Sequence, residues 1–350
     1  LSAVLLERGK LDREKPCGGG IPVDTLSRIP FDVSPVIEGW IERVVFRLQD
    51  RRQVSAALPP RTMAMVSRSS FDSLLAAASG AELQAGHRVT ELRSDPECAE
   101  AVCADGSIYR GRYCILAAGG LSPFDGAMGA NDRRAPRGIA LVSEPHAQQE
   151  LLQREAGTAR FEFGTVAGGY IWTFPKAGHL SVGAGRFQDS GRGMAGLTRE
   201  AAARMGIPGA GTLRFRGHPI LLPQPSAALR RGRLLRVGEA AGLVDPLVGE
   251  GIRHAVRSGE LAAAAVIADD PELYERRCRR EILVDLLAAR PLARLFYSFP
   301  GLAFRLGVEN SLFLREFVRI FCGRGSYRRM AARLPFYVAA APFIRSHPRN

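Results

Sequence analysis

Apolar residues recur along this chain with two different periods, and the change of period separates strand-rich from helix-rich stretches. Residues 2–7 (SAVLLE) form an apolar run that closes on Glu7 and turns at Gly9, as a strand does. Strands are also predicted over 44–48, 63–66 and 87–92, with a helix over 71–78. The run 100–104 meets Asp105-Gly106 and returns over 109–117, which predicts a hairpin because Asp-Gly favours the tight turn. Successive strands are predicted over 138–143, 159–163, 169–174 and 180–186, a sheet suited to covering a ligand space, followed by a short helix over 199–205. A strand over 234–237 runs into Gly238-Glu239, and Gly249-Glu250-Gly251 opens a long helix predicted to turn Ile252, Ala255, Val256 and Gly259 inward. Beyond Asp270 the chain reads as helices with basic faces over 273–287, 291–299, 302–308, 312–321 and 327–334, separated by proline and glycine.

Several of these elements end in residues that carry chemistry. A strand that ends in an acidic residue before a glycine resembles the second strand of a dinucleotide-binding βαβ unit, where the carboxylate accepts from a ribose hydroxyl. The alternative is that Glu7 closes an ordinary strand. The Gly-rich turn of such a unit belongs roughly 20 residues earlier, which leads to the expectation that the chain is a fragment or a mis-started form. Residues 15–22 (KPCGGGIP) are a loop in which three glycines after Cys17 let the backbone turn sharply or approach a ligand. The segment 117–122 (AAGGLS) allows either a close backbone approach or a simple bend. Free N–H groups at the helix start, 249–252, can meet a polar or anionic ring edge, although many helices begin after glycine with no ligand.

At 350 residues, with 46% apolar and 24% charged residues, the chain can build a large core in one or two domains. The net charge of +13 is concentrated near the end, where residues 271–350 hold fifteen arginines against six acidic residues. Such a surface attracts anionic membranes or nucleic acid. No zinc-finger spacing or RNA-binding aromatic signature favours nucleic acid, which is the disfavoured partner. Six scattered cysteines suggest no disulfide framework, and the apolar stretches 261–268 and 336–344 are shorter than the about 20 residues of a membrane span. A cytoplasmic protein with peripheral contact at the inner face of a membrane is therefore expected. The histidines show no metal-ligand spacing and no metal is expected; His254 is read as exposed or helix-packed.

In chain order, VLLERG (4–9), KPCGGGIP (15–22), RSSFDSLL (68–75), GGYIWTFPKAGHLSVGAG (168–185) and GEAAGLVDPLVGEGIRHAVRSGELAA (238–263) resemble the geranylgeranyl reductase family, FAD-dependent oxidoreductases related to the aromatic-ring hydroxylases. The resemblance implies an α/β fold: a discontinuous, truncated FAD/NAD(P)-binding Rossmann-like domain with an inserted β-sheet substrate domain and a helical C-terminal region. Residues 1–137 would be the first part of the FAD domain without its N-terminal βα unit. Residues 138–232 would be the substrate sheet, 233–270 the returning FAD segment and 271–350 the basic helical region. By the same resemblance Glu7 meets the adenosine ribose, Cys17, Gly18 and Gly19 lie at the active-site side of the ring, and Arg68 lies near the flavin. Glu239 reaches the ribityl chain, and Gly249, Glu250, Gly251 and Ile252 sit beside the isoalloxazine. Tyr170, Trp172, Phe174 and Pro175 would line the isoprenoid cavity, with Cys17, Tyr170 and Trp172 as the catalytic set. NADPH or a reduced ferredoxin would supply electrons, and the substrate would be a geranylgeranyl group on a lipid or (bacterio)chlorophyll-type molecule.

The chemistry agrees with those roles. An isoprenoid offers no charge, so aromatic and apolar walls must hold it. Saturating its double bonds needs a cofactor that stores electrons, which side chains cannot do. A proton must also arrive, from Cys17, Tyr170 or water. Besides the absent Gly-rich turn, two residues depart from the family pattern: Glu239 replaces the aspartate of GDAAG, and Ala118 replaces an aspartate that accepts a hydrogen bond, a loss of about 1.5–3 kcal/mol. These departures keep two other readings open, a flavin monooxygenase or halogenase and a non-catalytic lipid-binding protein on the same scaffold.

Overall fold

The computed structural model describes residues 2–49, 52–120, 122–129, 137–187 and 192–340. Residues 130–136, the Leu121 position of AAGGLS and the end of the apolar stretch 336–344 lie outside the described residues. The architecture is a discontinuous α/β Rossmann-like domain with an inserted mixed β-sheet and a C-terminal helical region. The Rossmann-like part is built from two parallel pairings. Val4–Glu7 runs beside Glu82–Ala85, and Cys114–Leu116 runs beside Leu234–Arg236. The second of these joins segments separated by more than a hundred residues of intervening chain.

The hairpin prediction is corrected at its second strand. Ile108–Gly111 pairs back onto Ala99–Cys103, but the chain then breaks and Cys114–Leu116 leaves for a different sheet. Tyr113 marks the break; its hydroxyl donates to Asp269 at 2.6 Å. A continuous apolar pattern cannot reveal that exchange, because both halves have the same period.

Among the described residues the inserted sheet has seven strands, in the order Arg216–Leu221, Arg137–Ser143, Leu180–Arg186, Gly169–Pro175, Thr158–Phe163, Arg43–Leu48 and Arg52–Ala57. Its last two strands come from within residues 1–137, so that segment is shared between the Rossmann-like layer and the sheet. Arg43–Leu48 pairs parallel with Thr158–Phe163, a non-local contact that no neighbouring sequence announces. Both faces of the central strands are covered, which explains why Gly169–Pro175 is almost continuously buried. On one face Ile171 and Ala184 meet Met194 and Ala201 of the helix Met194–Arg204. On the other, Phe161, Phe163, Tyr170 and Trp172 meet Tyr297, Phe317, Phe321 and Tyr327. The C-terminal region thus presents apolar faces to the sheet and forms part of the largest core.

Two helices differ from expectation. The helix Ile252–Ala268 buries His254, Ser258, Leu261, Ala262 and Ala265, a face rotated from the predicted one, and Ala255 is largely exposed while still touching Gly238. His254 is accordingly buried. Pro291 does not start a helix but lies inside Val284–Ser298.

Register explains one sequence detail. Trp172 lies directly opposite Gly183, and a methyl group on Gly183 would come within 2.2 Å of the indole and 2.4 Å of the Leu141 carbonyl oxygen. Gly185, opposite Tyr170, has no neighbour nearer than 3.6 Å to such a methyl. Gly183→Ala is therefore expected to destabilise the fold by about 1–3 kcal/mol, and Gly185→Ala by much less. Chemical denaturation of the two variants checks the contrast; equal midpoints would mean that the sheet accommodates the methyl.

Candidate functional site

Three segments distant in sequence converge beside the aromatic strand. The loop before Gly20–Pro22 brings Gly18 against Phe174 and Trp172: a methyl there would lie 2.7 Å from the Phe174 ring and 3.5 Å from the indole nitrogen. Gly19 has φ of +80°, and a side chain on it would strike the Val66 carbonyl oxygen. Its N–H donates to the Cys17 Sγ at 3.4 Å. Arg68, at the start of the helix Arg68–Ala78, grips Asp72 through two hydrogen bonds of 2.9 and 3.0 Å, and Lys15 binds the same carboxylate. Burial opposes the Arg68 charge, but neighbouring Cys17 and Asp72 outweigh it, so its pKa stands above the ordinary arginine value. The structure therefore brings Cys17, Gly18, Arg68, Trp172 and Phe174 together.

The second component is the loop from Asp245 to the helix Ile252–Ala268. Asp245 is fully buried, accepts from the Leu247 and Val248 N–H groups at 2.7 and 3.0 Å through Oδ1, and accepts from the Tyr327 hydroxyl at 2.7 Å through Oδ2. Burial raises its pKa, against the pull of these donors. Tyr297 donates to the Leu247 carbonyl and Tyr170 to the Val248 carbonyl. Hydroxyls from the sheet and from two helices thus hold three residues of this loop, Asp245, Leu247 and Val248. Asp285 helps to place one of them, because its carboxylate accepts from Ser326 Oγ and from the Tyr327 and Arg328 N–H groups at the start of Tyr327–Ala332. The sequence pattern does not single out Tyr297 or Tyr327, since nothing in a helical pattern marks a hydroxyl that bonds to a distant loop.

Beyond that loop, Gly249 has φ of +71° and lies close to the Tyr170 hydroxyl. Glu250 pairs with Arg253 at 3.3 Å, while its Oε1 is buried without a hydrogen-bond partner among the described residues. Burial pushes its carboxyl from 4.5 up to about 7, with Arg253 acting downward and Asp245 upward. Burial, with Arg253 alongside, holds His254 well below the ordinary imidazole value, so it is neutral. Gly251 leaves the first turn of the 17-residue helix without a side-chain cap, and Ile252 is half-buried at its start.

The remaining acidic positions have partners in place. Both Glu239 oxygens face His218 Nε2, at 3.1 and 3.0 Å, and a methyl on Gly120 would approach the same carboxylate to 2.8 Å. His218 comes from the inserted sheet and was not singled out by sequence. Glu7 stands apart from this group, bound locally by the Gly9 N–H at 2.9 Å and by Arg13 at 3.1 Å. No group of three or more His, Cys, Asp or Glu among the described residues is placed to hold a metal.

A narrow aromatic cavity, with free space of about 10 Å³ or on the order of one water, lies between the loop and the helices. The sheet contributes Phe46, Phe161, Phe163 and Tyr170; the loop contributes Leu247 and Val248; the helices contribute Phe296, Phe317 and Phe321. Of the four expected wall residues, Tyr170 lines it. Trp172 is buried with its Nε1 donating to Ser181, Phe174 lies against Gly18, and Pro175 is buried in the sheet opposite Leu180. A larger cavity, about 890 Å³ including its open mouth, adjoins among the C-terminal helices, and the two share Phe163, Leu247, Phe296 and Phe317 as walls.

Gly120 lies close to the Glu239 carboxylate, the helix after Gly249–Gly251 starts without a side-chain cap and beside the unpartnered Glu250 Oε1, and Gly18 lies against the aromatic strand. The chain is 26% identical over 324 residues to an uncharacterized protein of Methanosarcina barkeri, covering 87% of this chain and 80% of that protein. It is 30% identical over 303 residues to a chloroplastic geranylgeranyl diphosphate reductase of Oryza sativa subsp. japonica, covering 77% and 62%, and 25% identical over 289 residues to a menaquinone reductase of Mycolicibacterium smegmatis, covering 74% and 69%. A geranylgeranyl bacteriochlorophyll reductase-like protein of Thermoplasma acidophilum shares the fold, with a TM-score of 0.72 and 19% identity over 85% of this chain and 81% of that one. No protein-family model matches. The chain is related to the flavoprotein oxidoreductase superfamily of geranylgeranyl reductases and aromatic-ring hydroxylases.

Two predictions follow from the pinned loop. Tyr327→Phe leaves a buried carboxylate oxygen without its hydroxyl donor and should cost about 1.5–3 kcal/mol, more than Tyr297→Phe, which removes a neutral bond worth roughly 0.5–1.5 kcal/mol. Thermal unfolding of both variants tests that order, and a reversed order would deny Asp245 its central place. Because the Glu250 pKa is raised on folding, the native state holds the proton more tightly, and stability falls as pH rises from about 4.5 to about 7. Glu250→Gln should make that fall shallower in melting temperatures taken across the window, leaving the share due to Asp245.

Proposed function

We propose that the chain is an FAD-dependent reductase that adds hydrogen across a carbon–carbon double bond of a prenyl chain. The observation that carries this reading is the apolar outer cavity among the C-terminal helices, which shares walls with the narrow aromatic cavity at Tyr170 and Val248. An alkene chain matches such a wall, whereas a polar substrate would lose its hydration there without compensation. The names of the plant and mycobacterial relatives, geranylgeranyl diphosphate reductase and menaquinone reductase, point to substrates that both carry prenyl chains.

In this reading Glu7 meets the adenosine ribose, Glu239 with Gly119 and Gly120 meets the ribityl chain, and Gly249, Glu250, Gly251 and Ile252 meet the polar edge of the ring. Cys17, Gly18, Gly19 and Arg68 face its other side. Bound and reduced by NADPH or a ferredoxin-like donor, FAD supplies the hydride. The chain's own residues orient the alkene, exclude water and deliver a proton to the second carbon, so that one π bond is replaced by two C–H bonds. Tyr170 is committed to the Val248 carbonyl, and burial raises its pKa, which makes it a positioning group and a weak acid. Trp172 holds the strand and the Cys17 loop in place. Cys17, near both Arg68 and Tyr170, is the group assigned to proton delivery. A cytoplasmic enzyme in peripheral contact with the inner membrane face through residues 271–350 belongs to the same reading.

The test is anaerobic turnover of a geranylgeranyl lipid by the flavin-loaded chain, followed by mass spectrometry. Gain of hydrogen without oxygen is the expected result, and Cys17→Ser should lower kcat by roughly a hundredfold with little change in KM. A product that forms only with oxygen and carries an oxygen atom would move the assignment to a monooxygenase. Apolar-ligand binding without flavin retention would move it to a lipid-binding protein.

A further inference from the structure

The C-terminal helices carry a feature that the chemistry at the flavin side does not use. The outer cavity is lined throughout by apolar and aromatic residues, and three of them, Leu295, Phe299 and Leu302, are also 48%, 58% and 53% exposed. They form an apolar rim around an opening into the protein. Exposed apolar residues clustered in this way mark a surface made for a partner. Behind the rim, the shared walls Phe163, Leu247, Phe296 and Phe317 lead to the inner cavity at Tyr170 and Val248.

Charge around the rim identifies the partner. Arg294, Arg305 and Arg333 each adjoin a cavity-lining leucine in sequence, namely Leu295, Leu306 and Leu334. All three are exposed, and none forms an ion pair among the described residues. The arginines of the preceding helical turns behave differently: Arg276, Arg277 and Arg279 pair with Asp270, Glu281 and Glu275. With fifteen arginines against six acidic residues over 271–350, this helical region carries a net positive charge. An anionic bilayer matches both parts of this surface, with headgroups for the arginines and acyl chains for the rim. No helix among the described residues is long and apolar enough to cross a membrane, so the contact is made at the surface.

We propose that Leu295, Phe299 and Leu302, flanked by Arg294, Arg305 and Arg333, dock on an anionic lipid bilayer, so that a prenyl lipid enters the outer cavity directly from the membrane. The entry of substrate rests on the reductase reading; the docking does not. The apolar rim sinks below the headgroups, the arginines stay at their level, and the lipid's own headgroup remains outside while its chain passes inward.

Flotation of the purified chain with vesicles tests this without cofactor or turnover. Binding is expected to vesicles of phosphatidylcholine with phosphatidylglycerol, weakly to phosphatidylcholine alone, and to fall as salt is raised. Each basic residue near an anionic bilayer changes partition by about fivefold, so Arg294→Gln with Arg333→Gln should lose roughly 25-fold. Phe299→Glu with Leu302→Glu should abolish binding, whereas Ile108→Glu, at an exposed apolar position of the hairpin, should not. Circular dichroism checks that each variant is folded, and the salt titration needs no variant. Salt-insensitive binding to both vesicle types, or unchanged binding of the rim variant, would overturn the proposal. So would a dimer in light scattering that the rim variant dissociates, since the rim would then be covered by a second copy. Turnover of detergent-dispersed lipid without vesicle binding would remove the docking alone, and vesicle binding without reductase activity would remove the reductase reading alone.

Discussion

The Asp245 carboxylate is buried with no cation hydrogen-bonded to it among the described residues, and the arrangement of the site follows from how it is satisfied. A carboxylate in that position is costly unless donors replace its lost water. Two donors come from its own loop, the Leu247 and Val248 N–H groups, and the third is the Tyr327 hydroxyl. Tyr297 and Tyr170 then occupy the carbonyls that the tight loop leaves pointing outward. Sheet, loop and C-terminal helices are thereby tied to one another at the point where the aromatic cavity ends. Helical packing alone would set the distance between these layers only loosely; directional bonds set it at the loop.

On either side of that loop the environment changes sharply. Toward the Rossmann-like part lie paired charges and polar groups: Glu239 with His218, Arg68 with Asp72, Glu250 with Arg253. Toward the helices lie aromatic rings, among them Phe46, Phe161 and Phe317. The loop backbone stands at the boundary between these two environments. Tyr170 serves both environments, with its ring in the cavity and its hydroxyl on the loop, which is the usual compromise of a buried tyrosine. The same separation carries outward, where apolar residues line the outer cavity and exposed arginines adjoin three of its leucines in sequence.

The sequence by itself determined the element types and the order of the motifs. Glycines at 18, 19 and 249, the acid at the end of 4–7 and the aromatic alternation at 170, 172 and 174 were legible because each depends on local backbone freedom or on the two-residue period of a strand. Tertiary structure alone decided which of these meet. It set Tyr170 in the cavity wall and buried Trp172 under the Gly183 position, although both lie on one face of one strand. It brought Arg43–Leu48 into the inserted sheet, rotated the face of Ile252–Ala268, and recruited His218, Tyr297 and Tyr327 to positions 21, 50 and 82 residues from their partners. A periodic pattern records which side of an element is apolar; it holds no information about the distant group that a single hydroxyl or imidazole will reach. That depends on how the chain closes over those separations, and only the folded layers fix it.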